Sequence, residues 1–221
     1  MAVTELAWLT ATSKPLTSEG KEATNQALDV QDGWIDRNVL GLPKERENRG
    51  VGLFQQIEDP SINLLTAHWE SAAQHKVWID SPENKTVFPG LKDYFQLEKT
   101  YLFHYGVELF APGPNGETSL LKSPFFSVSR IAVAAEERGA FDKAWNEVKG
   151  VLEEFAKPYA AQAGWRVEKE DDNLEEFVLG VGWPNVERHA EFATAKDSDK
   201  LSAALTPFIK NRDLAHYKRI L

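Results

Sequence analysis

The chain carries one pattern twice, and this repeat limits the folds it can adopt more than any other feature does. Residues 62–83 align without a gap on residues 176–197, and residues 102–105 match residues 214–217. The alignment superposes these pairs: Trp69 on Trp183, His75 on His189, His104 on His216. Positions where the two copies agree are expected to serve the architecture. Positions where they differ are candidates for a site that only one copy carries.

Length and charge limit the classes of protein to which this chain can belong. At 221 residues, two repeats of about 110 residues each fit the usual size of a domain. The net charge of −9 repels phosphate backbones and no basic stripe is present, so we expect no nucleic-acid partner. The longest apolar runs are too short to span a membrane and the N-terminus shows no secretory signal, which predicts a cytoplasmic protein.

The sequence contains no cysteine, and Met1 is its only methionine. This excludes disulfides, thiolate nucleophiles and metal sites built from thiolates. The sequence has no His-x-His pair and no two histidines four residues apart on one helix. We therefore predict no metal site.

Each repeat is predicted to run strand, helix, strand, strand, helix, strand. In the first repeat the elements are a strand at 3–12, a helix at 18–37, strands at 50–58 and 62–69, a helix that starts at the capping box of Ser71, and a strand at 98–110. In the second they are a strand at 125–135, a helix through 141–155, strands at 165–170 and 176–183, a helix capped by Asn185, and a strand at 213–221. We therefore predict repeats at 1–110 and 125–221, joined by a linker at 111–124 that is rich in proline and glycine.

This element order is the ferredoxin-like arrangement, an antiparallel sheet of four strands with both helices on one face. Strands as apolar as these cannot leave their other face in water, so that face needs a partner. Two repeats in one chain can supply that partner to each other. A homodimer of such chains would do so as well.

The layout resembles the dimeric α+β barrel superfamily, in tandem form. The resemblance rests on the element order and on Trp69-Glu70-Ser71, which joins the third strand to a helix that bears a histidine. The similarity is to its antibiotic-biosynthesis-monooxygenase and stress-responsive branches, and it implies an α+β barrel with a ligand cavity. Relatives of this kind include cofactor-independent monooxygenases, polyketide cyclases, dehydratases, isomerases, heme-handling enzymes and proteins without known chemistry.

His68 is the first candidate for a catalytic residue. It lies on one strand face with Leu64 and Thr66 and corresponds to Gly182 in the second repeat. The barrel cyclases that the chain resembles use a histidine near the end of this strand as a general base or a hydrogen-bond partner, which implies one of these roles for His68. Their second histidine, after the following helix, has no counterpart at residues 81–85. The alternative is that His68 is a half-exposed residue at a strand end.

His104 and His216 occupy matching positions in the two closing strands, and either could serve as an acid, a base or a donor. Because the two repeats share them, a structural role is the alternative. The same argument favours a structural role for His75 and His189.

Five aromatic side chains could line an apolar cavity for a flat ligand. They are Trp8, Phe54, Trp69, Phe103 and Trp183. The alternative for each is an ordinary core position.

The leading hypothesis is an enzyme without an organic cofactor that acts on an aromatic or polyketide-like molecule, as in secondary metabolism. His68 would abstract a proton next to a carbonyl, with His104 or His216 as donor, before cyclisation, isomerisation, dehydration or oxygen addition. The second hypothesis is a binding or stress-responsive protein without turnover, and the third is a heme-binding protein.

Overall fold

The computed structural model describes residues 1–221 and has an α+β fold of eight strands and six α-helices. The chain divides into two compact units. The first unit comprises Met1–Phe110 and Tyr217–Leu221, and the second comprises Ala111–His216. None of the helices combines the length with the apolar character needed to cross a membrane.

The first unit contains four strands of its own and three helices. They are β1 (Val3–Thr10), α1 (Ser18–Asn38), β2 (Gly52–Gln56), β3 (Ile62–Trp69), α2 (Ala72–Ile79), α3 (Pro82–Val87) and β4 (Tyr101–Tyr105). The strands lie in the order β4-β1-β3-β2, and every neighbouring pair is antiparallel. The last residues of the chain pair with β2, where Phe54 faces Arg219.

The second unit repeats this plan. Its elements are β5 (Phe125–Ala134), α4 (Arg138–Ala156), β6 (Ala161–Trp165), β7 (Leu174–Trp183), α5 (Val186–Thr194), α6 (Lys196–Leu205) and β8 (Ile209–Arg219), whose last three residues belong to the first unit. The strand order is β8-β5-β7-β6. Residues 111–124 contain a short 3₁₀ helix, Leu120–Lys122, whose two leucines are buried.

Local sequence signals account for the helices of the first unit. Thr17 caps α1, because its hydroxyl accepts a hydrogen bond from the Gly20 amide at 3.1 Å. Ser71 caps α2 in the same way and accepts from the Gln74 amide at 3.1 Å. The Gln74 side-chain oxygen accepts a hydrogen bond from the Glu70 amide and not from the Ser71 amide. The reciprocal bond of the predicted capping box is therefore shifted by one residue.

Three segments differ from the sequence-based expectation. Strand β4 ends at Tyr105 because the Thr4 hydroxyl accepts from the Leu109 amide at 2.8 Å and donates to the Val107 carbonyl at 2.5 Å, which turns residues 106–110 back. Strand β6 lies at Ala161–Trp165, ahead of the predicted 165–170, because residues 167–170 of the predicted segment are mostly bends. Helix α3 and the 3₁₀ helix Phe88–Asp93 fill a stretch for which no element was predicted.

Candidate functional site

An apolar cavity lies in the first unit between the sheet and its helices. Its volume is about 200 Å³. Strand β1 contributes alternate side chains, as expected for one face of a strand, and α1 contributes positions at helical spacing. Apolar lining residues include Ala7, Leu9, Leu28, Leu65, Trp78 and Leu102. Polar lining residues are Glu5, Thr24, Gln31, His75, Asn84 and Thr100.

Three titratable side chains form a connected set at one wall of this cavity. His75 Nδ1 lies 2.7 Å from His104 Nε2, and His75 Nε2 lies 3.3 Å from the Glu5 carboxylate. The same carboxylate accepts a hydrogen bond from Trp69 Nε1 at 2.9 Å. All four side chains are buried.

One arrangement of protons satisfies all of these contacts. With Glu5 ionised, its carboxylate accepts from Trp69 Nε1–H and faces Nε2–H of His75. In that tautomer, Nδ1 of His75 accepts from Nε2–H of His104. The set therefore joins a buried base to two imidazoles in a medium where charge interactions are strong.

The sheet register explains why these residues meet. Glu5 pairs with His104 across β1 and β4, which puts both on the helix-facing side. Helix α2 begins just after β3 and carries His75 back over Trp69, on whose ring it stacks at 4.5 Å. Sequence reasoning found His104 but missed Glu5 and assigned His75 a structural role. A usable signal was present, because Glu5 is the only charged residue of β1.

The second unit has the same framework without the acid. Trp69 pairs with Val3, and Trp183 pairs with Phe125, so the register makes Ser127 the counterpart of Glu5. The Trp183 indole donates to the Ser127 hydroxyl at 2.9 Å. His189 lies against His216 with ring centroids 4.8 Å apart. Burial, followed by the charges of His216 and Arg212, lowers the pKa of His189.

His68 lies on the opposite face of the first sheet from the cavity. It is 3% exposed, less than the half-exposed alternative assumed. Its Nε2 accepts a hydrogen bond from the Phe110 amide at 3.2 Å, while Nδ1 has no hydrogen-bond partner and lies 3.9 Å from Glu108. Burial lowers the pKa of His68 to about 4, so the ring is neutral at pH 7.

The five aromatic candidates are not brought together. Trp8, Phe54 and Phe103 lie on the same sheet face as His68, where Trp8 stacks on Tyr101 at 5.1 Å and Phe54 stacks on Phe110 at 5.7 Å. Trp69 lies on the helix-facing side, and Trp183 holds the matching position in the second unit. None of the five lines the cavity.

Groups of three or more histidine and acidic side chains arranged to hold a metal ion are absent from the structure.

Comparison with known proteins identifies the fold. No protein-family model matches the sequence, and no curated protein matches it. A candidate monooxygenase from Lactobacillus acidophilus NCFM superposes with a TM-score of 0.61 and 10% identity, covering 99% of this chain and 93% of that one. A second, from Fusobacterium nucleatum, gives a TM-score of 0.61 with 9% identity, covering 100% and 93%.

An anthrone oxidase-like protein gives a TM-score of 0.60 with 10% identity, covering 100% of this chain and 92% of that one. Identities this low establish likeness of fold alone. The superpositions show that this chain shares its fold with these three proteins.

Proposed function

We propose that the protein is a small-molecule enzyme whose reaction takes place in the cavity of the first unit. The substrate is a compact aromatic or polyketide-like molecule, and the first step is removal of a proton next to a carbonyl or from a phenolic hydroxyl. Glu5 and His75 are the catalytic residues, because both reach the cavity. His104 is a positioning residue that sets the tautomer of His75.

The observation that carries this proposal is a buried acid–imidazole set on the wall of an otherwise apolar cavity. Apolar walls hold a flat molecule, and a few polar groups fix its orientation. The Trp69 indole and the His75 imidazole each direct a nitrogen atom at the Glu5 carboxylate and hold it at the cavity wall. A carboxylate held in this way can accept a proton from a ligand in the cavity.

Oxygen addition is the first choice among the later steps, ahead of cyclisation, isomerisation and dehydration. Two proteins of this fold are candidate monooxygenases and one is anthrone oxidase-like. We further propose that the units are ferredoxin-like repeats at 1–110 and 125–221, linked by 111–124, with their sheets packed as an α+β barrel. The chain would work in the cytoplasm without an organic cofactor, alone or as a homodimer.

Heme is the less supported ligand. A histidine that binds heme iron needs a free ring nitrogen, but both ring nitrogens of His75 are within 3.3 Å of Glu5 or His104. The cavity of about 200 Å³ is also below the roughly 300–1,000 Å³ usual for pockets that take drug-sized ligands. These residues do not fit heme. A binding protein without turnover is the remaining alternative, and the experiment below separates it from an enzyme.

The test is proton exchange from anthrone in D₂O without oxygen, followed by oxygen consumption when air is admitted. We expect the wild type to accelerate both. Glu5→Gln keeps an acceptor for Trp69 but removes the base, so we expect exchange to fall by about 10²–10⁴-fold while anthrone still binds. Ser127→Ala, at the matching position of the second unit, is the control and is expected to keep full activity.

Other outcomes select the alternatives. Binding of anthrone without any exchange supports a binding protein, and exchange without oxygen consumption removes the oxygenase step but keeps the base. The sequence analysis also predicts His68 as a base and His216 as a donor, and both remain predictions. Loss of exchange in His68→Gln, with full exchange in Glu5→Gln, would move the reaction to the other face of the sheet.

A further inference from the structure

Two residues that line the cavity each have a buried polar atom without a hydrogen-bond partner. These atoms are the side-chain oxygens Oε1 of Gln31 and Oγ1 of Thr100. Gln31 is 7% exposed. A buried polar atom without a hydrogen bond destabilises the folded protein, so each such atom calls for an explanation.

Their positions are set by the fold. Gln31 is the last of four cavity residues on α1, after Thr24, Ala27 and Leu28, so it lies on the stripe that faces the sheet. Thr100 precedes β4. Tyr101 pairs with Trp8 and His104 pairs with Glu5, so Thr100 lies at the end of the cavity away from Glu5. Four residues of strand separate the two ends, a span of about 13 Å.

We infer that Gln31 is a specificity-determining residue, and that the cavity selects a hydroxylated aromatic over a hydrocarbon of the same shape. This rests on the proposed function for the identity of the site. The ligand hydroxyl donates to Gln31 Oε1, and Thr100 offers a second hydrogen-bonding point. A hydrocarbon offers these atoms no hydrogen bond, whereas a phenol offers one O–H donor, which satisfies Gln31 Oε1.

The alternative source of such selectivity is Glu5, which could also accept from a hydroxyl. Variants distinguish selectivity due to Gln31 from selectivity due to Glu5. Gln31→Met keeps the length of the side chain but removes the amide, and Thr100→Val keeps the shape but removes the hydroxyl. Gln26→Met is the matched control, since Gln26 lies on the exposed face of the same helix and bonds to Glu22 at 2.9 Å.

The experiment measures the dissociation constants of 2-naphthol and naphthalene by calorimetry, for the wild type and for each variant. We expect the wild type to bind 2-naphthol about tenfold more tightly. We expect Gln31→Met to bring the two affinities together by weakening 2-naphthol alone, Thr100→Val to do so in part, and Gln26→Met to leave the ratio unchanged.

Thermal melting of the empty proteins provides a second readout. Because Gln31→Met removes an unsatisfied buried group, we expect its melting temperature to rise by about 2–4 °C. A structural role for the amide would instead lower it. Naphthol selectivity in the wild type is measured without any variant, so a misfolded variant leaves the first comparison intact.

Each result decides something different. Equal affinities for the two probes in the wild type would overturn the role of Gln31 while leaving the cavity as a ligand site. A preference for 2-naphthol that survives in Gln31→Met and disappears in Glu5→Gln would reassign the selectivity to Glu5. Failure of both probes to bind would overturn this inference together with the proposed function.

Discussion

Gly50 and His68 form a pair in which the small residue makes room for the large one. Gly50 ends the 3₁₀ helix Arg46–Arg49 with a φ of 63°, a conformation that disfavours side chains. A Cβ atom at this position would lie 2.5 Å from His68 Nε2. Gly182, which the alignment puts opposite His68, has its own steric reason, since a Cβ there would lie 2.6 Å from the Cβ of Tyr159. The contrast between His68 and Gly182 therefore has a packing explanation beside the functional one.

We predict that Gly50→Ala lowers the free energy of unfolding by at least about 1–2 kcal/mol, the usual penalty for a left-handed residue with a side chain. The clash with the His68 ring adds to this. Urea denaturation is the measurement. Gly139→Ala is the control, because a Cβ at Gly139 meets open space. Equal stability of the two variants would contradict the packing argument.

The buried His68 ring should make the stability of the fold depend on pH. The pKa of His68 is about 4 in the folded chain against an ordinary value of 6.5. Between these values the unfolded chain takes up a proton and the folded chain does not, so stability falls as the pH falls. The loss attributable to His68 is about 3 kcal/mol, and it is complete near pH 4.

His68→Gln removes this titration while its amide oxygen can still accept from Phe110. Urea denaturation at pH 7, 5.5 and 4 should therefore show a smaller loss in the variant. Parallel pH profiles of the wild type and the variant would show that His68 is hydrated in the folded protein.

At the scale of the elements, helix α2 affects both the stability of the fold and the position of His75 in the site. Ser71 caps it one turn before His75, so the cap positions the imidazole against Glu5. We predict that Ser71→Ala lowers the free energy of unfolding by about 1 kcal/mol and also reduces proton exchange. Asn185→Ala is a matched control, since Asn185 caps α5 ahead of His189 in the same geometry. It should cost similar stability and leave exchange unchanged; the opposite pattern would assign the site to the second unit.

Local sequence signals predicted much of this architecture. The features that were missed depend on contacts between residues far apart in the sequence. The alternation of β3 and the caps at Ser71 and Asn185 depend on neighbouring residues, so they could be read from the sequence. The contact between Glu5 and His104 depends on the register of two strands almost a hundred residues apart. The end of β4 was missed for the same reason, because the Thr4 hydroxyl determines it.

For the molecule as a whole, the two units share a strand order but differ in chemistry. The first has Glu5 and a cavity, whereas the second has Ser127 in the matching position. The core of the second unit contains aromatic rings that meet edge to face. Phe141 and Phe177 have centroids 5.0 Å apart, and Trp145 and Phe177 have centroids 5.6 Å apart. The acid and the cavity of the first unit therefore make it the candidate for the reaction.

This asymmetry predicts one ligand per chain. Native mass spectrometry with 2-naphthol should give a single bound molecule, and Ala27→Phe should abolish binding because it fills the cavity from α1. Ala140→Phe, the same change on the exposed start of α4, is the control. Ser127→Glu should not create a second site, since aromatic rings are packed in the core of the second unit. A stoichiometry of two in the wild type would mean that the second unit also opens a cavity, and that Glu5 does not distinguish the copies.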